Sequence, residues 1–178
     1  MDMNVARRRL PVAHRQIMLD LVHKYNIRVF AEIGVNHGYM AQDIIRHLGG
    51  EMSEYWAIDV WRPYWKTHTK EQWEHMYERV CRNMSYFPIL RVVRMDSTEV
   101  TEIFRDGYFD AVFLDTTHTY EDTKREITAW LPKIKKGGLF AGHDYGSHRK
   151  VHRGCKVAVD EIFPNVKVYP NLVFAAEV

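Results

Sequence analysis

The segment from Val29 to Met40, VFAEIGVNHGYM, constrains the fold more than any other part of the chain. An apolar run leads into Gly34, Gly38 follows, and a helical pattern begins at once. This order predicts a buried strand, a glycine turn and a helix N-terminus, where backbone N–H groups can approach a nucleotide-like ligand. The spacing G-x-x-x-G lacks one glycine of the dinucleotide-binding pattern G-x-G-x-x-G, and this disfavours NAD.

Strand-like and helical patterns alternate along the rest of the chain. The strands are expected at 28–33, 55–58, 90–95, 109–114, 139–142, 166–169 and 172–176, and the helices at 11–25, 39–48, 70–84, 98–104, 120–131 and 155–163. Such alternation predicts an α/β, Rossmann-like fold, a mostly parallel seven-stranded sheet with helices on both faces. We expect a single domain, 1–178, with an N-terminal helical segment (1–27) and an aromatic-rich helical insertion or lid (61–88). The segment Lys135–Gly138 is expected to be the turn that follows the helix at 120–131.

Composition narrows the class of protein and of partner. A net charge of +2 over 178 residues gives little reason to expect nucleic acid as a partner. Two cysteines without a paired motif favour a reducing compartment. No apolar run reaches the ~20 residues that span a bilayer, and the N-terminus lacks the apolar core of a signal peptide. We therefore expect a cytoplasmic protein with a small-molecule partner and no membrane partner, and a homodimer stays open.

Acidic or glycine-rich residues follow five of the predicted strands. Ligands of parallel sheets bind beyond the carboxyl ends of the strands, so these residues are candidates for one site. A carboxylate after the second strand suits the hydroxyls of a ribose, although it could equally cap the next turn. The pair after the third strand could bind an adenine amino group, cap a helix, or do both. The residues are Glu32 and Gly34, Asp59, Asp96 with Ser97, Asp115, and Asp144.

Trp61 belongs to a group of aromatic side chains that has two readings. It lies two residues beyond Asp59 and is therefore the aromatic residue best placed to stack on an adenine ring. The other reading is that it packs in the core or on a helix. Position along the chain is the argument for the stacking role.

The segment Asp115-Thr116-Thr117-His118 is the expected chemical centre. Asp144, after the next strand, could face Asp115 across the ligand crevice, and two carboxylates suit a hard cation such as Mg²⁺. His118 could then accept a proton from a substrate hydroxyl. The alternatives are strand-end capping for the carboxylates and a polar loop role for the histidine. A local cluster does not match a paired zinc pattern: His143, His148, His152 and Cys155. A basic stretch is instead expected to form a solvated loop over the site: His148, Arg149, Lys150, His152 and Arg153.

Taken together, the motifs resemble those of a known family. EIGVNHGYMA is followed by AID, MDS, FLDTTHTYEDTKREITAWLPKIKKGGLFAGHDY and VAVDEIF. This ordered set is similar to class I S-adenosylmethionine-dependent methyltransferases. The most similar group is the small Asp-x-x-His type, which is related to metal-dependent sugar and macrolide O-methyltransferases. The resemblance covers roughly residues 28–163 and includes the lysine-glycine-glycine turn before the fifth strand.

The resemblance implies roles for individual residues. Glu32, Gly34 and Gly38 would frame the methionine part of the cofactor, and Asn36 in the same turn is counted with the cofactor-binding residues. Asp59 would bind the ribose. The adenine would lie near Asp96 and Ser97. The remaining roles are a base, His118, and metal ligands, Asp115, Asp144 and His143, of which Asp115 also borders the cofactor and His143 replaces an acidic residue of some relatives.

The function implied is methyl transfer from S-adenosylmethionine by in-line attack of a nucleophile. We expect O-methylation of a small-molecule hydroxyl with the help of a divalent cation, Mg²⁺ by preference, because alignment and proton removal are what such an enzyme must supply. The alternatives are a metal-independent N- or carboxyl-methyltransferase and a non-catalytic nucleotide-binding module. Acceptor pockets are built from variable loops, and the fold does not fix the acceptor.

Overall fold

A computed structural model describes residues 13–63, 68–149 and 152–178. The first residues of the helix expected at 11–25 and part of the aromatic segment, Tyr64 to Thr67, lie outside the described residues. The seven strands are β1 (Val29–Ile33), β2 (Glu54–Asp59), β3 (Leu90–Arg94), β4 (Phe109–Leu114), β5 (Ile134–Gly142), β6 (Lys167–Tyr169) and β7 (Val173–Glu177). The α-helices are α1 (Ala13–Lys24), α2 (Tyr39–Leu48), α3 (Lys70–Met84), α4 (Tyr120–Trp130) and α5 (Arg153–Ile162).

The strands form one sheet in the order β3-β2-β1-β4-β5-β7-β6. The neighbours from β3 to β5 are parallel, whereas β7 pairs antiparallel with both β5 and β6. The predicted mostly parallel, seven-stranded sheet is therefore confirmed. Parallel pairing places the carboxyl ends of β1, β2, β4 and β5 along one edge, where the strand-end residues of the sequence come together.

Helices cover both faces of the sheet, because side chains of a strand point alternately to its two sides. On one face, α1, α2 and α3 pack over Phe30, Tyr55 and Phe113. On the other face, α4 and α5 pack over strand residues such as Val112 and Phe140. Each of these buried aromatic side chains contributes about 1.5–3 kcal/mol relative to an exposed position. The alternating strands and helices of the sequence thus form three layers, with the sheet between two layers of helices.

The structure corrects the turn expected at Lys135–Gly138. These residues belong to β5, whose register with β4 shifts between Phe109 and Ala111. Gly137 has a φ of 78°, and a Cβ at Gly138 would lie 2.7 Å from the carbonyl oxygen of Asp110. The two glycines therefore form an irregularity inside the strand, since only glycine permits this backbone and this approach.

Two further elements are 3₁₀ helices. The helix expected at 98–104 is a 3₁₀ helix, Glu99–Ile103, and a second one, Leu131–Lys133, follows α4 directly. The α-helices agree with the predicted spans to within a few residues because their apolar faces are strongly periodic. Among the described helices, none is long and apolar enough to cross a membrane.

Candidate functional site

Gly34 joins three strand ends at the centre of the site edge. Its φ is 91°, and a Cβ at this position would lie 2.1 Å from the carbonyl oxygen of Asp115. The amide of Gly34 donates to the carbonyl of Ile58 at 2.9 Å, and the amide of Asp115 donates to Ile33 at 2.8 Å. A side chain cannot be accommodated here, so the close approach of β1 to the end of β4 requires glycine.

Asp59 ties the glycine turn to the end of β2. Its Oδ2 accepts from the amide of Asn36 at 2.9 Å, and its Oδ1 accepts from the amide of Trp61 at 2.8 Å. Asn36 has a φ of 51°, which the hydrogen bond helps to hold. Each carboxylate oxygen keeps a second lone pair, so the capping role seen here and a ribose-binding role are compatible.

A cleft opens beyond the carboxyl ends of β1, β2 and β4. It encloses about 720 Å³ of space, a figure that includes the part open to solvent. Five predicted cofactor-binding residues line it, and a sixth is the chain neighbour of one of them. Gly34, Asn36, Asp59, Ser97 and Asp115 line the cleft, and Asp96 precedes Ser97 in the chain.

Trp73 of α3 supplies an observation that bears on the fit of a nucleoside. Its side chain lines the cleft, and its indole Nε1 is buried without a hydrogen-bond partner among the described residues. A buried donor of this kind is normally satisfied, and a ligand with acceptor atoms would satisfy it. An apolar ring beside a free donor and the strand-end carboxylates is a set of groups that suits an adenosine-containing cofactor.

Trp61 takes a different position from the one expected. Its side chain is fully buried, its indole Nε1 donates to the carbonyl of Asn36 at 3.0 Å, and its ring lies 5.0 Å from that of Tyr77. The indole therefore packs between the glycine turn and α3 and does not line the cleft. Trp61 follows the end of β2 by only two residues, but its left-handed backbone, with a φ of 40°, turns its side chain toward the core.

Asp96 and Ser97 follow β3 and make structural contacts first. Asp96 Oδ1 accepts from the amide and the hydroxyl of Thr98, at 3.0 and 2.8 Å, which holds the turn that leads into the following 3₁₀ helix. The Ser97 hydroxyl donates to Glu126, a buried glutamate that also accepts from Thr116 at 2.6 Å. The helix-cap interpretation of this pair is wrong, because the N-cap is Thr98 and no side chain caps the helix. Ser97 lines the cleft.

Glu126 is a residue of the site that sequence reasoning missed. It lines the cleft from α4 and is buried. Burial raises the pKa of its carboxyl, and the hydrogen bonds from Ser97 and Thr116 only partly offset that effect. A signal was available, because Glu126 lies in the buried stripe of α4, with Thr123, Ile127 and Trp130. A carboxylate in an otherwise apolar stripe indicates a polar partner inside the fold.

Glu32 and Gly38 lie behind the cleft lining. Glu32 is buried and accepts a hydrogen bond from the Tyr55 hydroxyl at 2.6 Å, and burial raises the pKa of its carboxyl to about 8. Gly38 has a φ of 72° and precedes α2, and a Cβ there would lie 3.2 Å from Met84 Sδ and from a Val80 methyl. Both residues support the turn, Glu32 from the sheet and Gly38 by admitting α3.

A cluster of acidic and imidazole groups lies at the end of β4 and β5. These strands are parallel neighbours, with Leu114 opposite Gly142, so Asp115 and Asp144 come together. The Nε2 of His118 is 3.1 Å from Asp115 Oδ1 and 3.2 Å from Asp144 Oδ2. One ligand-capable atom from each of the three residues lies within 4.8 Å of the others. The spacing Asp-x-x-His thus places the histidine between two carboxylates.

Two residues of this cluster have a left-handed backbone. His118 and Asp144 each have a φ of 60°, a conformation that residues with side chains rarely adopt. The loop that carries His118 is held by Asp122, whose Oδ2 accepts from Thr117 at 2.7 Å and from Thr119 at 3.0 Å. The hydrogen bonds on both sides of His118 stabilise its strained backbone and fix where its ring lies.

Further imidazoles surround the carboxylates. His143 Nδ1 is 3.7 Å from Asp115 Oδ1, and its ring lies 4.8 Å from that of His14 on α1. His152 Nδ1 is 2.9 Å from Asp144 Oδ2, and its ring lies 4.8 Å from that of His118. The structure therefore brings His143 and His152, which the sequence analysis placed in a local cluster, to the same pair of carboxylates. His14 was not foreseen.

The carboxylates and histidines shift each other's protonation. Burial alone would raise the pKa of Asp115, but hydrogen bonds and charge from His118 and His143 outweigh it and hold that pKa below its ordinary range. Burial would lower the pKa of His143, but Asp115 and Asp144 reverse the effect and raise it. Burial and the neighbouring His143 lower the pKa of His14. Asp115 is therefore ionised at neutral pH.

The donor set fits a divalent cation. Asp115 and Asp144 supply two carboxylates on one edge, and His118 supplies a nitrogen between them. His152 Nδ1 is buried and has no hydrogen-bond geometry to any described partner, although Asp144 is 2.9 Å away. A buried nitrogen that makes no hydrogen bond and lies beside two carboxylates is an arrangement that suits the ligands of a cation.

Comparison with known proteins places the chain among methyltransferases. The model of a family described as "Methyltransferase domain" matches residues 31–145. A protein of Sinorhizobium fredii (strain NBRC 101917 / NGR234), uncharacterized protein y4gI, is 28% identical over 127 residues. That match covers 70% of this chain, and the chain spans only 14% of the length of the relative.

Solved structures share the fold at low sequence identity. A Staphylococcus aureus protein provisionally assigned as a caffeoyl-CoA O-methyltransferase has a TM-score of 0.68 at 17% identity, over 92% of this chain and 81% of that one. CalS11, a TDP-rhamnose 3'-O-methyltransferase, has a TM-score of 0.66 at 14% identity, over 94% and 81%. The SAH-bound methyltransferase PaMTH1 of Podospora anserina has a TM-score of 0.67 at 14% identity, over 91% and 76%. Likeness at these identities shows the fold alone.

Proposed function

Since this chain belongs to the family of methyltransferase domains, we propose that it methylates the hydroxyl of a small molecule with the help of a divalent cation. The family makes it an S-adenosylmethionine-dependent methyltransferase, and the hydroxyl acceptor and the cation are the proposal. The observation that carries it is the cluster of Asp115, His118 and Asp144 at the carboxyl edge of the sheet, beside a cleft that Asp115 also lines.

The cleft residues would hold the cofactor. Asp59 offers its second lone pairs to the ribose hydroxyls, and Gly34 lets the chain approach without a side chain. Ser97 and Trp73 line the part of the cleft proposed for the nucleoside, and the free indole N–H of Trp73 can donate to it. S-adenosylmethionine, when bound, supplies a methyl group on a positively charged sulfur, which is the electrophile of the reaction.

Asp115 and Asp144 would hold the cation. A divalent cation, when bound there, lowers the pKa of an acceptor hydroxyl and fixes its oxygen. Asp115 serves both parts of the site, because it borders the cofactor cleft and belongs to the acidic cluster. The two carboxylates thereby bring the acceptor oxygen and the methyl donor to the same strand end, which is the alignment that in-line transfer requires.

His118 is the proposed proton acceptor. Its ring is buried, and its Nε2 lies between the two carboxylates, which orient it. A neutral imidazole whose Nε2 carries no hydrogen, as when the two carboxylates bind a cation and need no N–H donor, can take the proton of an acceptor hydroxyl. The same nitrogen lies at a distance from which it could also ligate a cation, and the His118→Ala variant described below separates the two roles.

The titles of related structures suggest where to look for the acceptor. CalS11 is a TDP-rhamnose 3'-O-methyltransferase, and its fold matches 94% of this chain. NovP is an O-methyltransferase, and its fold matches 92%. Sugar hydroxyls are therefore the first class to test, followed by phenols and other small hydroxyl compounds.

A methyl-transfer screen tests the proposal. The protein is incubated with S-adenosylmethionine labelled in its methyl group and with matched panels of hydroxyl, amine and carboxylate compounds. We expect label in hydroxyl compounds, and mass spectrometry should locate it on oxygen. Label found only on nitrogen or on carboxylates would favour the metal-independent alternative. Cofactor binding with no transfer to any panel would favour a binding module.

A further inference from the structure

Asp144 is the meeting point of imidazoles from three places in the chain. Its Oδ2 lies 3.2 Å from His118 Nε2, 3.8 Å from His143 Nδ1 and 2.9 Å from His152 Nδ1. These histidines come from the loop after β4, the end of β5 and the residue before α5. The acidic pair therefore lies in an imidazole-rich environment, which the oxygen-only preference of Mg²⁺ does not call for.

His152 has a buried ring nitrogen that makes no hydrogen bond to any described residue. Its Nδ1 is buried, and among the described residues it has no hydrogen-bond partner, because the nearby Asp144 oxygen lies off the hydrogen-bonding direction. The side chain is 12% exposed, and its ring packs against that of His118 at 4.8 Å. A buried nitrogen is rarely left unpaired, so its position beside a carboxylate points to a missing partner.

We propose that His152 joins Asp115 and Asp144 as a ligand of the cation, and that the site therefore selects a nitrogen-accepting divalent metal over Mg²⁺. Mn²⁺, Fe²⁺, Co²⁺ and Zn²⁺ accept imidazole nitrogen together with carboxylate oxygen, whereas Mg²⁺ is bound by oxygen and water. Two carboxylates balance the charge of a divalent ion, and imidazole adds a ligand without adding charge. The inference rests on the proposed cation site, and it replaces the Mg²⁺ expected from the sequence.

The position of His152 explains why its role was not read from the sequence. A short segment links it to Asp144, and the spacing His143, His148, His152 and Cys155 matches no paired zinc pattern. In the structure the ligand set is drawn from different elements, β4, β5 and the start of α5, and Cys155 is not one of them. Cys155 Sγ instead lies 3.5 Å from the carbonyl oxygen of His143.

Metal binding can be measured without an acceptor. The full chain is freed of metal with a chelator, and Co²⁺, Mn²⁺, Zn²⁺ and Mg²⁺ are titrated in by calorimetry, with the visible spectrum of bound Co²⁺ as a second readout. We expect one Co²⁺ per chain and binding at least about 100-fold tighter than that of Mg²⁺, in keeping with the preference of imidazole sites. His152→Ala should weaken Co²⁺ binding by about 10–100-fold and change its spectrum.

Two variants control the measurement. His148→Ala removes an exposed histidine of the same loop and should bind Co²⁺ as the unaltered chain does. His152→Asp replaces the proposed nitrogen ligand by oxygen, so the ratio of the Co²⁺ affinity to the Mg²⁺ affinity should decrease. Circular dichroism shows that each variant is folded, and if His152→Ala is not, the comparison of His152→Asp with the unaltered chain decides.

Equal affinity for Mg²⁺ and Co²⁺, or a His152 variant that binds Co²⁺ with unchanged affinity and spectrum, would overturn the proposal. The result is separable from the proposed function. Co²⁺ binding through His152, together with methyl transfer that continues in chelator, would remove the metal from the reaction and leave the site. Turnover that needs a cation, together with no effect of His152, would leave the function and remove the ligand.

Discussion

At the residue scale, the site is built from side chains that perform structural work as well as binding. Each carboxylate oxygen of Asp59 accepts one hydrogen bond, Oδ2 from the amide of Asn36 and Oδ1 from the amide of Trp61. Asp115 is held ionised by histidines, because their hydrogen bonds and charge outweigh its burial. His118 and Asp144 tolerate a left-handed backbone. The same groups that strain the loops also define the cluster.

His118→Ala tests the proton acceptor. If the imidazole removes the hydroxyl proton, kcat should fall by about 10²–10⁴-fold, the usual contribution of a general base. Affinity for S-adenosylmethionine should be unchanged, since the cofactor cleft is not lined by His118. If His118 is a base and not a ligand, the amount of metal bound per chain should also be unchanged. Kinetics, calorimetry and metal analysis measure the three quantities.

His148→Ala is the matched control for that variant. A near-normal kcat would remove His118 from the reaction. Loss of metal together with kcat would make His118 a ligand in place of a base, and loss of cofactor binding would make it a structural residue.

Asp59→Ala tests the ribose contact. In this variant we expect the binding free energy of S-adenosylmethionine to weaken by about 1.5–3 kcal/mol, the scale of a hydrogen bond to a charged group. The unaltered chain is expected not to bind NAD. Calorimetry with Asp106→Ala as the control measures this, because Asp106 is an exposed carboxylate that pairs with Lys133, and neither residue lines the cleft. Unchanged affinity in Asp59→Ala would exclude the carboxylate from cofactor binding.

At the element scale, the apolar runs of the sequence are sufficient to place the strands along the chain. Periodic apolar faces also locate the α-helices. The pattern fails at Gly137 and Gly138. These glycines predict a turn, but β5 continues through them with an irregularity. It fails again at Trp61, where a left-handed backbone turns the ring into the core.

The candidate site divides in the same way. Carboxylates after parallel strands are predictable, since strand ends share an edge. Glu126, Trp73 and His152 were not assigned to the site, because each comes from a helix or a helix start whose orientation depends on tertiary packing. Sequence spacing carries no information on that packing unless a residue breaks a buried stripe, as Glu126 does.

Glu32 links β1 to β2 and makes stability depend on pH. Burial raises the pKa of Glu32 to about 8 from an ordinary 4.5, so between these values the folded chain binds more protons than the unfolded one. The free energy of unfolding should therefore decrease with rising pH across this window. Glu32→Gln should remove up to about 1.4 kcal/mol of that decrease per pH unit.

Denaturant unfolding between pH 5 and 8, done on both proteins, measures the difference. Glu102→Gln, an exposed glutamate, should keep the slope of the unaltered chain. A Glu32→Gln variant with the same slope as the unaltered chain would show that Glu32 does not titrate in this window.

At the scale of the whole molecule, parallel pairing gathers the cofactor cleft and the acidic cluster along one edge. The cleft lies beyond β1, β2 and β4, and the cluster lies beyond β4 and β5, so Asp115 at the end of β4 belongs to both. The fold matches methyltransferases, and the family model covers the part of the chain that carries both features. In the proposed function, this arrangement would bring the methyl donor and the acceptor oxygen to one strand end.

Turnover in the presence and absence of metal tests the central claim most directly. With an acceptor from the screen, methyl transfer is measured in the chelated protein and after divalent cations are returned one at a time, with Asp144→Asn as the matched variant. We expect no transfer in chelator, recovery with an added cation, and little recovery in Asp144→Asn. Full transfer in chelator would contradict the account and favour a metal-independent methyltransferase.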